Sequence, residues 1–164
     1  MKKHPDIRKN LIVATKGGFI PYDIDSREEP SVYFQNHFVK NGILRKGDIC
    51  RECHSLKPEF IREYVLMSLE NPGLEYLDIY YIHNPEMQLS ELSANEFYHR
   101  LSRSFEVLEK FIQSGRIHMY GTATWDGYRL DAYDSNRLSL RRVIQSAEAI
   151  AAGSRHHFRA VQFP

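Results

Sequence analysis

The chain has 164 residues and a net charge of +1, with 42% hydrophobic and 26% charged residues and with acids and bases interspersed. A chain of this length buries about 70% of the surface it exposes when unfolded, enough for a core of its own, and a near-zero charge lacks the basic footprint of a nucleic-acid binder or an anionic-membrane binder. No run approaches the roughly 18 apolar residues of a membrane span, and LIVAT is too short for a signal-peptide core, so one cytoplasmic domain over residues 1–164 is expected.

In chain order, the first predicted element is the strand LIVAT (11–15), followed at once by Lys16-Gly17-Gly18. Residues 19–57 are rich in Pro, Gly and Asp and hold no period beyond a short helix around Val32–Val39; a connection this long is a candidate lid or a surface insertion. A helix is predicted after Pro58, where Phe60, Ile61, Tyr64, Val65 and Leu69 share one face. The strand LDIYYIH (77–83) comes next and is stopped by Asn84-Pro85. Ser93 and Glu96 have the spacing of a capping box, and Phe97, Leu101, Phe105, Leu108 and Ile112 follow at helical intervals until Gly115. The strand IHMYGTA (117–123), a helix through Leu140, Val143, Ile144, Ala147 and Ile150 ending at Gly153, and the strand RAVQF (159–163) complete the series. Strands that alternate with helices predict a parallel sheet.

Cys50 and Cys53 are the only cysteines, and their spacing suits reduced thiols better than a disulfide framework. CRECH (50–54) has the letters of a covalent haem-attachment motif, and Cys50, Cys53, His54 and His37 would be the donors of a zinc site. One cysteine pair without an export signal supports neither, and no metal site is expected. His156 and His157 read as solvated loop residues.

Ligands of parallel α/β folds sit where strands end. The residues there are Lys16, His83, the Gly121–Trp125 segment and Gln162, and a buried strand that closes on an imidazole raises the question of what that ring serves. Singly, each has a bland account: a solvated lysine, a capped core histidine, a strand-end hydrogen bonder.

Taken together, VATKGGF, LDIYYIHNPE, SGRIHMYGTATW and AVQFP resemble, in order and spacing, consecutive segments of the aldo-keto reductases. The resemblance implies a TIM-type parallel (β/α) barrel of which the chain holds a part, corresponding to strands three to six. It also implies hydride transfer from NADPH to an aldehyde or ketone by a tetrad of Asp, Tyr, Lys and His. Lys16 matches the lysine whose ammonium lowers the phenol pKa, and His83 matches the histidine that orients the substrate carbonyl through a ring N–H. Gln162 matches the residue that binds the nicotinamide carboxamide. Ala123 and Thr124 stand where the family presents Ser-Asn, with the Thr124 hydroxyl as the remaining candidate, while Asn84 and Trp125 fall on the substrate side. Gly17 and Gly18 would let the backbone turn beside Lys16, and Asn84, before a proline, is expected to be extended.

A complete barrel of this type needs eight strands and about 250 residues. The resemblance therefore places the matching Asp and Tyr before Met1, and the phosphate-binding loops and the stacking aromatic after Pro164. Asp78 does not replace the Asp: five residues before His83 on one strand, it lies about 16 Å down and on the other face. Tyr81 shares the His83 face as core filler, and Tyr22 and Tyr33 lie in the long loop with nothing to fix them near Lys16. The isolated chain is expected to be inactive and to self-associate through the open edges of its first and last strands. A non-catalytic binding module on the same scaffold is the alternative.

Overall fold

The computed structural model describes residues 5–23, 25–151 and 153–164. Four strands, β1 (Ala14–Gly17), β2 (Leu77–His83), β3 (Ile117–Ala123) and β4 (Phe158–Gln162), form one sheet in the order β1-β2-β3-β4, and every neighbouring pair is parallel. The helices are α1 (Pro5–Arg8, a single turn), α2 (Pro30–Phe34), α3 (Pro58–Glu70), α4 (Ala94–Gln113) and α5 (Leu140–Ala151). None of them is long and apolar enough to cross a membrane.

Alternation along the strands divides the sheet into two faces. On one, Tyr80, Ile82, Tyr120 and Phe158 are buried with Ile61, Val65 and Leu69 of α3, Leu101, Phe105 and Leu108 of α4, and Val143 and Ala147 of α5. Phe105 sits 5.0 Å from the Tyr120 ring and 5.6 Å from the Phe158 ring. Each such side chain contributes about 1.5–3 kcal/mol relative to exposure, so this layer sets the sheet against its helices.

The other face carries two rows in register. Lys16, Tyr81, Gly121 and Ala160 form the deeper row, and His83, Ala123 and Gln162 the row at the C-terminal rim. A bulge at Tyr120/Gly121, opposite Phe158–Ala160, keeps β4 in step with β3.

Helix ends follow the sequence with one difference. Pro58 opens α3 and the Ser93 hydroxyl accepts the Glu96 N–H at 3.3 Å, but the reciprocal half of the predicted capping box is absent. The Glu96 carboxylate instead takes the Arg100 Nε–H at 2.8 Å, because a cation four residues on outcompetes a neutral backbone donor.

The long connection has its own order. Helix α2 continues into a π-helical turn, Gln35–Val39, as the local pattern predicted. Its two ends are tied together: Ser55 N–H donates to Gly18 O at 2.8 Å, Ile20 N–H to Cys53 O at 2.8 Å, and Cys50 N–H to His54 O at 2.8 Å. The tip of this small hairpin turns through Arg51 and Glu52, both left-handed, at φ 49° and 58°.

Candidate functional site

The C-terminal rim of the sheet forms a cleft of about 200 Å³ lined by Lys16, His83, Asn84, Ala123, Thr124, Trp125, Gln162, Phe163 and Pro164. The seven candidate residues from the sequence are thus brought together at one place. Lys16 lies inside β1 rather than after it, one row below His83. Its four-carbon stem lets the ammonium reach the upper row.

Two glycines follow Lys16, for different reasons. At Gly17 the need is space: an added Cβ would lie 1.9 Å from the Tyr80 hydroxyl. At Gly18 it is both conformation and space, since φ is +134° and an added Cβ would lie 2.6 Å from His54 Nε2. Only the second meets the expectation of a turn that requires glycine.

Burial, and then the positive charge of Lys16, hold the His83 imidazole below its ordinary pKa. The ring is therefore neutral at pH 7, with one N–H to donate and one nitrogen to accept. Phe19 presents an edge to it at 4.9 Å between ring centres.

Asn84 departs from its expected extended state: it is left-handed, with φ 42° and ψ 54°. Its N–H extends the β2–β3 ladder to Ala123 O at 2.7 Å. The chain then enters the 3₁₀ turn Pro85–Ser90. A following proline disfavours the right-handed helical region, and asparagine tolerates the left-handed one, so the turn is made there. The Asn84 Oδ1 that results is buried with no hydrogen-bond partner among the described residues.

Thr124 sits behind the rim with its hydroxyl already engaged, donating to Glu86 Oε1 and accepting the Gly127 N–H at 2.9 Å. One lone pair is left for any ligand. Glu86 has no sequence signal beyond its place three residues after His83, and sequence reasoning overlooked it. Burial pushes its carboxyl pKa up and the Thr124 hydrogen bond opposes this, while its Oε2 is buried without a partner.

His54, which the sequence offered only as a metal donor in CRECH, reaches the site in another role. It is fully buried, and both ring nitrogens are engaged within the chain: Nε2 lies 2.8 Å from the His83 carbonyl oxygen and Nδ1 lies 3.2 Å from Gln88 Nε2. Neither nitrogen is free for a haem iron or zinc. The Cys50 thiol is buried, and burial raises its pKa.

The remaining tyrosines and acids fall elsewhere. Tyr81 lies in register with Lys16 on the same face. The Tyr22 hydroxyl donates to Glu28 O at 2.8 Å, and Tyr33 stacks on His37 at 4.2 Å, so both are held within the long connection. Asp78 stands at the opposite end of β2, accepting the Val13 N–H at 2.7 Å and pairing with Arg8 at 2.8 Å. His157 is not a solvated loop residue. Its N–H donates to Glu109 Oε1 at 2.8 Å and its ring Nδ1 meets Glu109 Oε2 at 2.7 Å, because the turn before β4 brings it onto α4.

Comparison with known proteins identifies the family. The model of the aldo/keto reductase family matches residues 1–141. Prostaglandin F synthases 1 and 2 of Bos taurus are each 28% identical over 109 residues, covering 57% of this chain and 33% of the relative. The chain thus spans about a third of the length of the curated relatives it matches. An aldo-keto reductase from Bacillus halodurans, solved in its holo form, superposes with a TM-score of 0.45 at 18% identity, over 75% of this chain and 30% of that one.

Proposed function

This chain belongs to the aldo/keto reductase family, its four-stranded sheet being part of that family's (β/α) barrel, and we propose that the cleft at the sheet's C-terminal rim is the carbonyl-reducing site of an NADPH-dependent reductase acting on an aldehyde or ketone. The observation that carries this reading is the convergence of Lys16 and His83, from adjacent parallel strands, on one cleft.

The residues fit the nicotinamide end of the cofactor. A primary carboxamide offers N–H donors and one carbonyl acceptor. Asn84 Oδ1 is a buried acceptor without a partner, and the exposed amide of Gln162 supplies both kinds of group. When bound, the cofactor supplies the hydride.

The chain's own residues would orient and polarise. The neutral His83 ring donates its N–H to the substrate carbonyl oxygen, which favours the negative charge that develops there. The Lys16 ammonium adds to this field and, after burial, disfavours a second proton on the imidazole. Trp125 and Phe163 give the mouth an apolar wall for the substrate's carbon skeleton. The alcohol product also needs a proton, and Tyr81, the phenol in register with Lys16, lies a row below the rim. We therefore assign the proton donor to a residue outside this chain, and expect the chain alone to bind without turning over.

Trp125 is the only tryptophan and lines the cleft, so its fluorescence reports the site directly. NADPH should change its emission, and Gln162→Ala should weaken binding about tenfold, the loss of roughly one good hydrogen bond. An emission that NADPH leaves untouched at millimolar concentration would overturn the reading.

A further inference from the structure

We propose that His54 is a positioning residue for His83: it holds the rim histidine by its backbone carbonyl and thereby makes the residue 18–57 connection a working part of the site. This rests on the reading of His83 as the donor to the substrate carbonyl.

The proton positions follow from the partners. The Gln88 side-chain amide nitrogen lies 3.2 Å from the His54 carbonyl oxygen and 3.2 Å from His54 Nδ1. A carbonyl oxygen only accepts, so the nitrogen end of the Gln88 amide faces it, and the second N–H is directed at Nδ1. Nδ1 is then the accepting nitrogen, and Nε2 carries the hydrogen. That hydrogen is donated to the His83 carbonyl at 2.8 Å, a contact open to no other tautomer of the neutral ring. Burial keeps the ring neutral by lowering its pKa to about 4, so the arrangement holds across the physiological range.

The hold is two-sided. The Phe19 ring packs edge-to-face with both imidazoles, its centre 4.9 Å from that of His83 and 5.3 Å from that of His54. Gly18 lacks the side chain that would occupy the path of Nε2. His54 in turn is placed by the hairpin that ties the two ends of the connection together. A position that needed bulk alone is better filled by an apolar ring, since a buried imidazole must have both nitrogens satisfied. What histidine adds is a directed N–H aimed at the residue whose own ring faces the cleft. Positioning partners of this kind fix the ring orientation of the group that meets the ligand.

The test is nuclear magnetic resonance on the full chain labelled with ¹⁵N and ¹³C, beside His54→Gln, which keeps a donor at the same reach, and His54→Phe, which keeps the bulk alone. In the native chain a scalar coupling across the hydrogen bond should connect His54 Nε2 with the His83 carbonyl carbon, and the His83 ring nitrogens should report one tautomer. His54→Phe should average the His83 tautomers, and His54→Gln should restore the native pattern. With acetophenone as the carbonyl probe, the affinity read from the His83 ring-nitrogen shifts should be about fivefold weaker in His54→Phe, about 1 kcal/mol of lost positioning, and recovered in His54→Gln. Absence of the coupling in the native chain, or a His83 ring indifferent to both substitutions, would overturn the proposal. The coupling needs no variant, so it decides the matter even where His54→Phe does not fold. If acetophenone leaves native His83 unmoved while coupling and tautomer behave as expected, the carbonyl-binding reading fails and the positioning role stands.

Discussion

The two ends of the sheet leave opposite kinds of polar group without a partner among the described residues. At the N-terminal end, Asp78 accepts the Val13 N–H, pairs with Arg8 at 2.8 Å and meets His118 at 3.5 Å. The Arg8 guanidinium lies 3.9 Å above the Tyr76 ring, and its Nη2 donates to Tyr76 O at 3.1 Å. At the C-terminal end, within five residues of one another, Asn84 Oδ1, Glu86 Oε2 and Gln88 Oε1 are buried acceptors with no partner among the described residues. A buried acceptor without a donor costs about 1–3 kcal/mol, so it persists where it serves something besides stability. The end away from the cleft, the closed end, also buries two donors, Arg8 Nε and Arg116 Nε, without a partner among the described residues, so the two ends differ in kind: donors are left over at the closed end and acceptors at the cleft end.

The largest effect belongs to the closed end. Burial alone would raise the Asp78 pKa, but the Val13 and Arg8 hydrogen bonds, with the charges of Arg8 and His118, outweigh it and the net shift is downward. Its contribution is complete above the unfolded carboxylate value and is lost as pH falls through the lower, folded one. Asp78→Ala should cost about 1.5–3 kcal/mol in urea denaturation at pH 7, the range for hydrogen bonds to a charged group, and leave the NADPH response of Trp125 unchanged. A weakened cofactor response would erase the division between the two ends.

Next comes the Tyr80 hydroxyl, buried without a partner beneath Gly17. Tyr80→Phe removes an unsatisfied polar group and keeps the ring, so it should stabilise the fold by about 1 kcal/mol. A loss of stability would mean that the hydroxyl has a partner after all.

Glu86 sharpens the contrast with Asp78, because its shift has the other sign. A carboxyl raised above its unfolded value stabilises below that value, and the contribution is lost as pH rises through the folded one. Glu86→Gln keeps the oxygen that accepts from Thr124 and removes the charge. It should give a small gain in stability at pH 7 and flatten the pH dependence just above the ordinary carboxylate range. An unchanged stability–pH curve would count against a strained carboxyl at this end.

The smallest effect is electrostatic. Lys16→Met removes the charge that, after burial, depresses the His83 pKa. The His83 ring should then titrate at higher pH in an NMR titration, with little change in stability. A fixed His83 pKa would separate the two groups that the cleft is proposed to join.

The sequence by itself determined the alternation of strands and helices, the ends of the second and third strands and the family, while the first strand runs over Ala14–Gly17 rather than 11–15. Hydrophobic period and terminating glycines and prolines are properties of neighbouring residues, legible without knowing what they pack against. For that reason Lys16, His83, Ala123, Thr124, Trp125 and Gln162 were found: each lies at or beside the end of an apolar run, and parallel strands with crossover helices bring all such ends to one rim. Only the tertiary structure decided that His54 meets the His83 carbonyl from 29 residues away, that Gln88 closes on His54 across 34, and that Glu86 takes the Thr124 proton across 38. It also set the left-handed turn at Asn84 against the local preference for an extended residue. Such contacts depend on how the long connection folds back on the rim, and a segment without a hydrophobic period leaves no trace of that path in the order of its residues.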